Sequence, residues 1–216
     1  AHMVWGGGYL FNEGALDFAG GLVVHISSGA SALLAAILIG ERVRYRKESQ
    51  IPSNIPFVFI GTSLLWFGWI GFNGGSALGA NALAGNAVLV TNTCAAVGAL
   101  TWLSLEWKFH GKPSLIGAAS GLVAGLVAIT PAAGFVDVKA SLIMGIISSL
   151  ICYFFVVIVK KRFNYDDSLD AFGIHGVGGT WGAIATGLFA NPEINPLGTG
   201  LFYGNSKQLF IQLESV

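Results

Sequence analysis

Six stretches of this 216-residue chain, 18–39, 55–72, 82–105, 115–133, 140–159 and 171–190, contain no Asp, Glu, Lys or Arg. Crossing the hydrocarbon core of a bilayer takes roughly 20 predominantly apolar residues as helix. The expected fold is therefore an all-α polytopic membrane protein with six transmembrane helices. A seventh apolar run begins near Gln208 and stops at Val216 before it can cross. At the other end, Ala1-His2-Met3-Val4-Trp5 begins abruptly, with no signal peptide ahead of it. Both ends lead to the expectation of an interior piece of a longer membrane protein.

Composition agrees, with 54% hydrophobic residues, 10% charged residues and a mean hydropathy of +0.70, whereas a soluble domain carries about 25% charge. Net charge is zero and no basic patch points to a nucleic acid. Cys94 and Cys152 lie in apolar runs, where cysteine behaves as a small hydrophobe. Short cytoplasmic loops gather Lys and Arg, and nine of the eleven basic residues fall in alternate connections: Arg42, Arg44, Arg46 and Lys47, then Lys108 and Lys112, then Lys160, Lys161 and Arg162. Lys139 and Lys207 lie on the other side. Asp17 is thereby expected at the outer face and Asp170 at the inner face, with the first span running inward and the sixth outward.

Two ionisable residues break this pattern from inside it. His25 and His175 each follow an aspartate into an apolar, glycine-rich span, and an ionisable group at membrane depth is by default a substrate or ion path. Counting about 1.5 Å per residue from Asp17 and Asp170 puts His25 roughly 12 Å below one surface and His175 roughly 8 Å above the other. In a core about 30 Å thick they differ in depth by as little as about 10 Å. Similar segments of opposite direction, five spans apart, suit an inverted repeat across a pseudo-two-fold axis. Gly117, Gly121 and Gly125, like Gly179, Ala183 and Gly187, recur every four residues and give smooth faces for close helix contact. Gly21, His25, Ser28, Gly29 and Ala32 share one face, which turns the first histidine toward helix neighbours.

The blocks around these residues carry a resemblance. Residues 17–30, from Asp17 through His25 to Ala30 and on to Gly40-Glu41-Arg42, resemble the signature of the ammonium transporter family, the Amt, Mep and Rh proteins, most closely the bacterial Amt branch. Trp66-Phe67-Gly68-Trp69-Ile70-Gly71-Phe72-Asn73-Gly74-Gly75-Ser76, the run Gly111-Lys112-Pro113-Ser114, and Asp170-Ala171-Phe172-Gly173-Ile174-His175-Gly176-Val177-Gly178-Gly179 resemble its other landmarks. The resemblance covers the chain and implies an eleven-helix inverted-repeat protomer, assembled as a homotrimer with one pore per subunit. Residues 1–216 would then be a single partial transporter domain, helices five to ten and the start of eleven.

The resemblance also implies the site. Trp5 and Ser76 match the outer recruitment site, with Phe72 as half of a gate beneath and Trp69 nearby. An aromatic face attracts ammonium by cation–π interaction while a hydroxyl accepts one of its hydrogens. Taken without the family, Trp5 also reads as an interfacial anchor, Phe72 as a lipid-facing or core ring and Ser76 as an ordinary turn residue. A bare cation is costly in hydrocarbon and neutral ammonia is not, so deprotonation lowers the barrier. His25 and His175 sharing a hydrogen bond would line the lumen without fixed charge. Asp17 reads as a cap on free backbone N–H groups or as an ion-attracting carboxylate, and Thr130 as a residue near the outer region or a helix-end cap. Asp166, Asp167 and Asp170 read as a solvated cytoplasmic face, with Asp170 also able to cap the sixth span.

The expected function is transmembrane transport of ammonium and methylammonium, without catalysis, cofactor or metal, in a multi-pass cell-membrane protein. A PII-type regulatory protein at the cytoplasmic face is a partner implied by bacterial relatives. The alternative is an ammonium sensor that signals through an attached domain. An intramembrane metalloenzyme finds two histidines but no third ligand at zinc-like spacing.

Overall fold

The computed structural model describes residues 1–43, 45 and 52–216. Arg44, Arg46 and Lys47, which entered the orientation argument, lie outside the described residues. All regular structure among the described residues is helical. After two short helical segments, His2–Trp5 and Tyr9–Glu13, the chain forms α1, Gly21–Ile39. It continues through α2 (Ile55–Gly75), α3 (Ala82–His110), α4 (Leu115–Ile129) and α5 (Val138–Phe163). The last two helices are α6, made of Phe172–Gly176 and Val177–Phe189, and α7, Ser206–Ser215. Each of the six expected apolar windows coincides with a helix.

Local sequence sets these boundaries. Asn54, Asn81, Ser114 and Asp137 each stand one residue before a helix and accept a backbone N–H three residues on, which satisfies one of the orphan donors of a first turn. Gly111 closes α3 in the left-handed region with φ 77°, a conformation that costs glycine little. Four helices, α1, α2, α3 and α5, are long and apolar enough to cross a membrane by length and composition. α4 stops at Ile129, four residues before the expected end of its window, because Pro131 offers no N–H to continue the ladder. At 15 residues it is about 22 Å long.

α3, α4 and α5 pack through small residues. A methyl group on Gly121 would meet the Gly98 carbonyl and Trp102, and one on Gly125 or Gly145 would meet the Cys94 carbonyl, so the expected smooth face of α4 is an interhelical contact. Cys94 and Cys152 are both buried and unpaired. Ser148 and Ser149 cross-link the same layer by donating to the carbonyls of Ala124 and Gly98 at 2.7 and 2.6 Å.

The basic ends of α1 and α5 meet at one end of the bundle. Arg42 pairs with Asp166, Tyr45 donates to the Tyr165 carbonyl at 2.9 Å, and Lys160 holds Asp170 at 2.6 Å. The three aspartates therefore do not form a common solvated face. Asp166 and Asp170 are spent on cations, while Asp167 is buried and accepts the Phe172 N–H at 2.8 Å. Asp167 caps the start of α6, a role open to Asp170 as an alternative from the sequence alone.

A candidate polar pair inside an apolar bundle

Both histidines sit in π-helical turns, Gly21–Ile26 and Phe172–Gly176, where continuous α-helix was expected. Such turns are rare and concentrate at functional sites. The two segments share one backbone plan. An aspartate carboxylate accepts backbone N–H at the start, from four residues at Asp17 and from Phe172 alone at Asp167; three residues later the chain turns left-handed, at Gly20 with φ 111° or Asp170 with φ 55°. The histidine follows eight residues after the aspartate and a glycine, Gly29 or Gly179, twelve after it. The aspartate matching Asp17 is thus Asp167. The spacing to the histidine and glycine was the readable signal, hidden because Asp170 stands nearer the apolar run.

The glycines carry the crossing. A methyl group on Gly29 would land on the backbone N and Cα of Gly176, and one on Gly179 would lie 3.1 Å from the His25 Cβ and the Gly21 carbonyl. Each glycine packs against the histidine segment of the other helix, so the two backbones touch where the rings emerge. The Nδ1 atoms of His25 and His175 are 3.2 Å apart, with ring centroids at 5.2 Å and planes inclined by 36°.

Around the pair the structure gathers three more of the expected residues. Trp69 stacks on His25 with centroids 5.2 Å apart and an interplanar angle of 14°. Phe72 lies 6.3 Å from the same ring and 5.8 Å from Trp69. Thr130, at the end of α4, has its Oγ1 within 2.9 Å of Trp69 Nε1 and 3.3 Å of His25 Nε2, and it donates to the Leu126 carbonyl at 2.7 Å. It therefore serves both the helix end and the ring. His25, Trp69 and Phe72 open onto an apolar groove of about 550 Å³, also lined by Val24, Leu64 and Gly68.

Asp17 and Trp5 form a separate layer at the start of α1. The buried Asp17 carboxylate accepts from the N–H groups of Gly20, Gly21, Leu22 and Val23 at 3.0, 2.6, 2.9 and 3.2 Å. Its lone-pair sites are filled by the positive end of the helix. Trp5 donates Nε1–H to the Asp17 carbonyl at 2.8 Å, its ring half exposed over Gly20. Ser76 lies in the turn after α2 and donates to the Phe72 carbonyl at 2.9 Å, leaving its oxygen as an acceptor. Ser28, expected on the inward face with His25, is exposed and donates to the His25 carbonyl, while Gly29 beside it stays buried against Gly176.

Two residues without a place in the expected site hold this layer down. The fully buried Gln212 of α7 accepts from Leu16 N and donates to the carbonyls of Leu16 and Ala183 at 2.8, 2.9 and 3.0 Å. Gln208 donates to the Gly14 carbonyl at 3.0 Å. A buried amide must find partners, so a glutamine inside the apolar run at 208–216 was the signal for this clamp.

The sequence matches the Ammonium Transporter Family over residues 1–216. It is 54% identical over 217 residues to an ammonium transporter of Aquifex aeolicus, covering 100% of this chain and 50% of that protein. The fold superposes on the crystal structure of Candida albicans Mep2 with a TM-score of 0.92 at 41% identity, covering 99% of this chain and 49% of that one. It superposes on a sensor Amt protein with a TM-score of 0.91 at 31% identity, covering 99% of this chain and 55% of that one. The chain spans about half the length of the relatives it matches. With the whole sequence matched, the chain belongs to the Ammonium Transporter Family.

Proposed function

We propose that the protein containing this chain moves ammonium across a cell membrane, and that residues 1–216 form part of a single transporter domain, helices five to ten and the start of eleven. The observation that carries this reading is a pair of imidazoles 3.2 Å apart between two apolar helices. Neutral imidazoles supply donor and acceptor sites at a depth where a fixed charge is costly. Trp5 and Ser76 recruit the cation at the outer face, Phe72 and Trp69 form the aromatic wall below, and ammonia passes the histidines after deprotonation. Methylammonium is a second substrate, a homotrimer the assembly, and a PII-type protein the partner at the inner face. Asp17 acts chiefly as a backbone cap, a role supported by its four N–H donors.

The structural likeness to a sensor Amt protein favours one second reading, in which the same bundle reports ammonium to a signalling domain. Flux separates the two. Full-length protein in proteoliposomes should carry current or uptake with ammonium and methylammonium, and far less with potassium. Replacing His25 or His175 with alanine should change ammonium flux or its selectivity over potassium by about tenfold, equivalent to about 1.4 kcal/mol on a barrier. Unchanged flux and selectivity with both replaced would remove the histidines from the path, and absent flux with retained ammonium binding would favour the sensor.

A further inference from the structure

We propose that Thr130 fixes the tautomers of the histidine pair. It holds His25 with its proton on Nε2, so His175 donates the shared Nδ1···Nδ1 bond and the remaining lone pair of the neutral pair is Nε2 of His175. This deepens the transport reading and rests on it for its consequence, although the assignment itself comes from counting protons.

Thr130 Oγ1 has one proton and two lone pairs. The Leu126 carbonyl is 2.7 Å away, one turn back, and a carbonyl only accepts, so the proton lies between those oxygens. The opposite assignment would spend it on a nitrogen at 3.3 Å and leave two buried acceptors facing each other at 2.7 Å with nothing between them. Trp69 Nε1 is donor-only and fills the first lone pair at 2.9 Å. The second lone pair faces His25 Nε2, which must then carry a proton to complete the contact. A neutral imidazole has one N–H, so His25 Nδ1 is an acceptor. At 3.2 Å from it, His175 Nδ1 supplies the hydrogen, and His175 Nε2 is left bare.

The backbone plan treats the two histidines alike, while Thr130 and Trp69 engage the first. The pair consequently has a direction. An ammonium ion that gives a proton to the pair does so at His175 Nε2: its N–H bond breaks, the electron pair stays on the departing ammonia, and the charge passes to the His175 ring.

The test uses full-length protein in bilayers with ¹⁵N-labelled histidine, the ring nitrogens being read by magic-angle-spinning NMR and assigned with a His25→Gln variant. The expected spectrum has protonated Nε2 on His25 and protonated Nδ1 on His175. Thr130→Val should shift the His25 tautomer ratio about five- to tenfold toward Nδ1–H, the weight of one net hydrogen bond. Thr130→Ser keeps the hydroxyl and should keep the wild-type spectrum. A wild-type His25 protonated on Nδ1 overturns the proposal without any variant having to fold, and so does a Thr130→Val spectrum identical to wild type. Because this readout involves no flux, a failure of the transport reading is seen separately, in the proteoliposome assay.

Discussion

At the start of α1, Asp17 gathers four backbone N–H groups, Gly20 makes the left-handed turn, and the indole of Trp5 closes over the loop. At the start of α6 the same plan is executed with other means. Asp167 takes the N–H of Phe172, and the left-handed position is held by Asp170, whose carboxylate is tied to Lys160 at 2.6 Å. One segment is built almost entirely from backbone and buried in the bundle, the other from charged side chains near its end. What the two share is the distance from cap to histidine to glycine, and that shared part sets where the rings meet. What they do not share sets how strongly each end is held.

The largest difference is expected at the glycines. A Gly29→Ala methyl would overlap Gly176 backbone atoms, which cannot rotate aside, whereas the Gly179→Ala methyl has 3.1 Å to its nearest neighbours. Overpacking a close-packed site costs about 1–3 kcal/mol and occasionally more. Gly29→Ala should lie at or above the top of that range and Gly179→Ala near the bottom. Thermal unfolding of the full-length protein in detergent reads both, and equal shifts would mean that the two glycines do not play matched roles at unequal clearance.

The caps come next. Asp17→Asn keeps one oxygen and turns an NH₂ toward N–H groups, so at least two of its four charge-assisted bonds are lost. Such bonds are worth about 1.5–3 kcal/mol each, so a loss of about 3 kcal/mol or more is expected. Asp167→Asn removes the charge from a cap whose ordinary value is about 1 kcal/mol. Denaturation of the two variants in parallel should rank Asp17 first. A reversed order would make the α6 end the better-held one.

Much of this was legible beforehand, and the reasons differ by feature. The six helices were readable because exclusion of Asp, Glu, Lys and Arg over a span is a one-dimensional signal. Bringing together His25, His175, Trp69, Phe72 and Thr130 depended on matching blocks to a family. Depth counting gave similar heights for the histidines but no lateral contact. The π turns were not readable, since an extra residue in a helical turn leaves the hydrophobic pattern almost intact. Asp167 was mistaken for surface because its neighbours Asp166 and Asp170 are charged and the cap depends on a backbone bond to Phe172. The role of Gln212 was missed because its partners, Leu16 and Ala183, lie far off in the chain.

The smallest expected effect probes the link between the segments' far ends. Arg42 at the end of α1 holds Asp166 through Nε at 2.8 Å, and its backbone N–H reaches the same carboxylate at 2.8 Å, so the pair joins the histidine helix α1 to the loop that leads into α6. The Arg42 guanidinium covers the Asp166 side chain and holds its carboxyl below the usual carboxylate range, chiefly by hydrogen bonding. A carboxylate with a lowered folded value binds its proton more readily when unfolded. Its contribution is therefore complete above the unfolded value, near pH 4, and is lost as pH falls through the lower folded value. The pair sits at the surface, where such contacts contribute about 0–1 kcal/mol. Asp166→Asn should accordingly lower the unfolding temperature slightly at neutral pH, and the difference from wild type should vanish in acid below that window. A difference that persists unchanged there would mean that the link is held by Tyr45 on the Tyr165 carbonyl and by packing, with the ion pair an ornament on a contact already made.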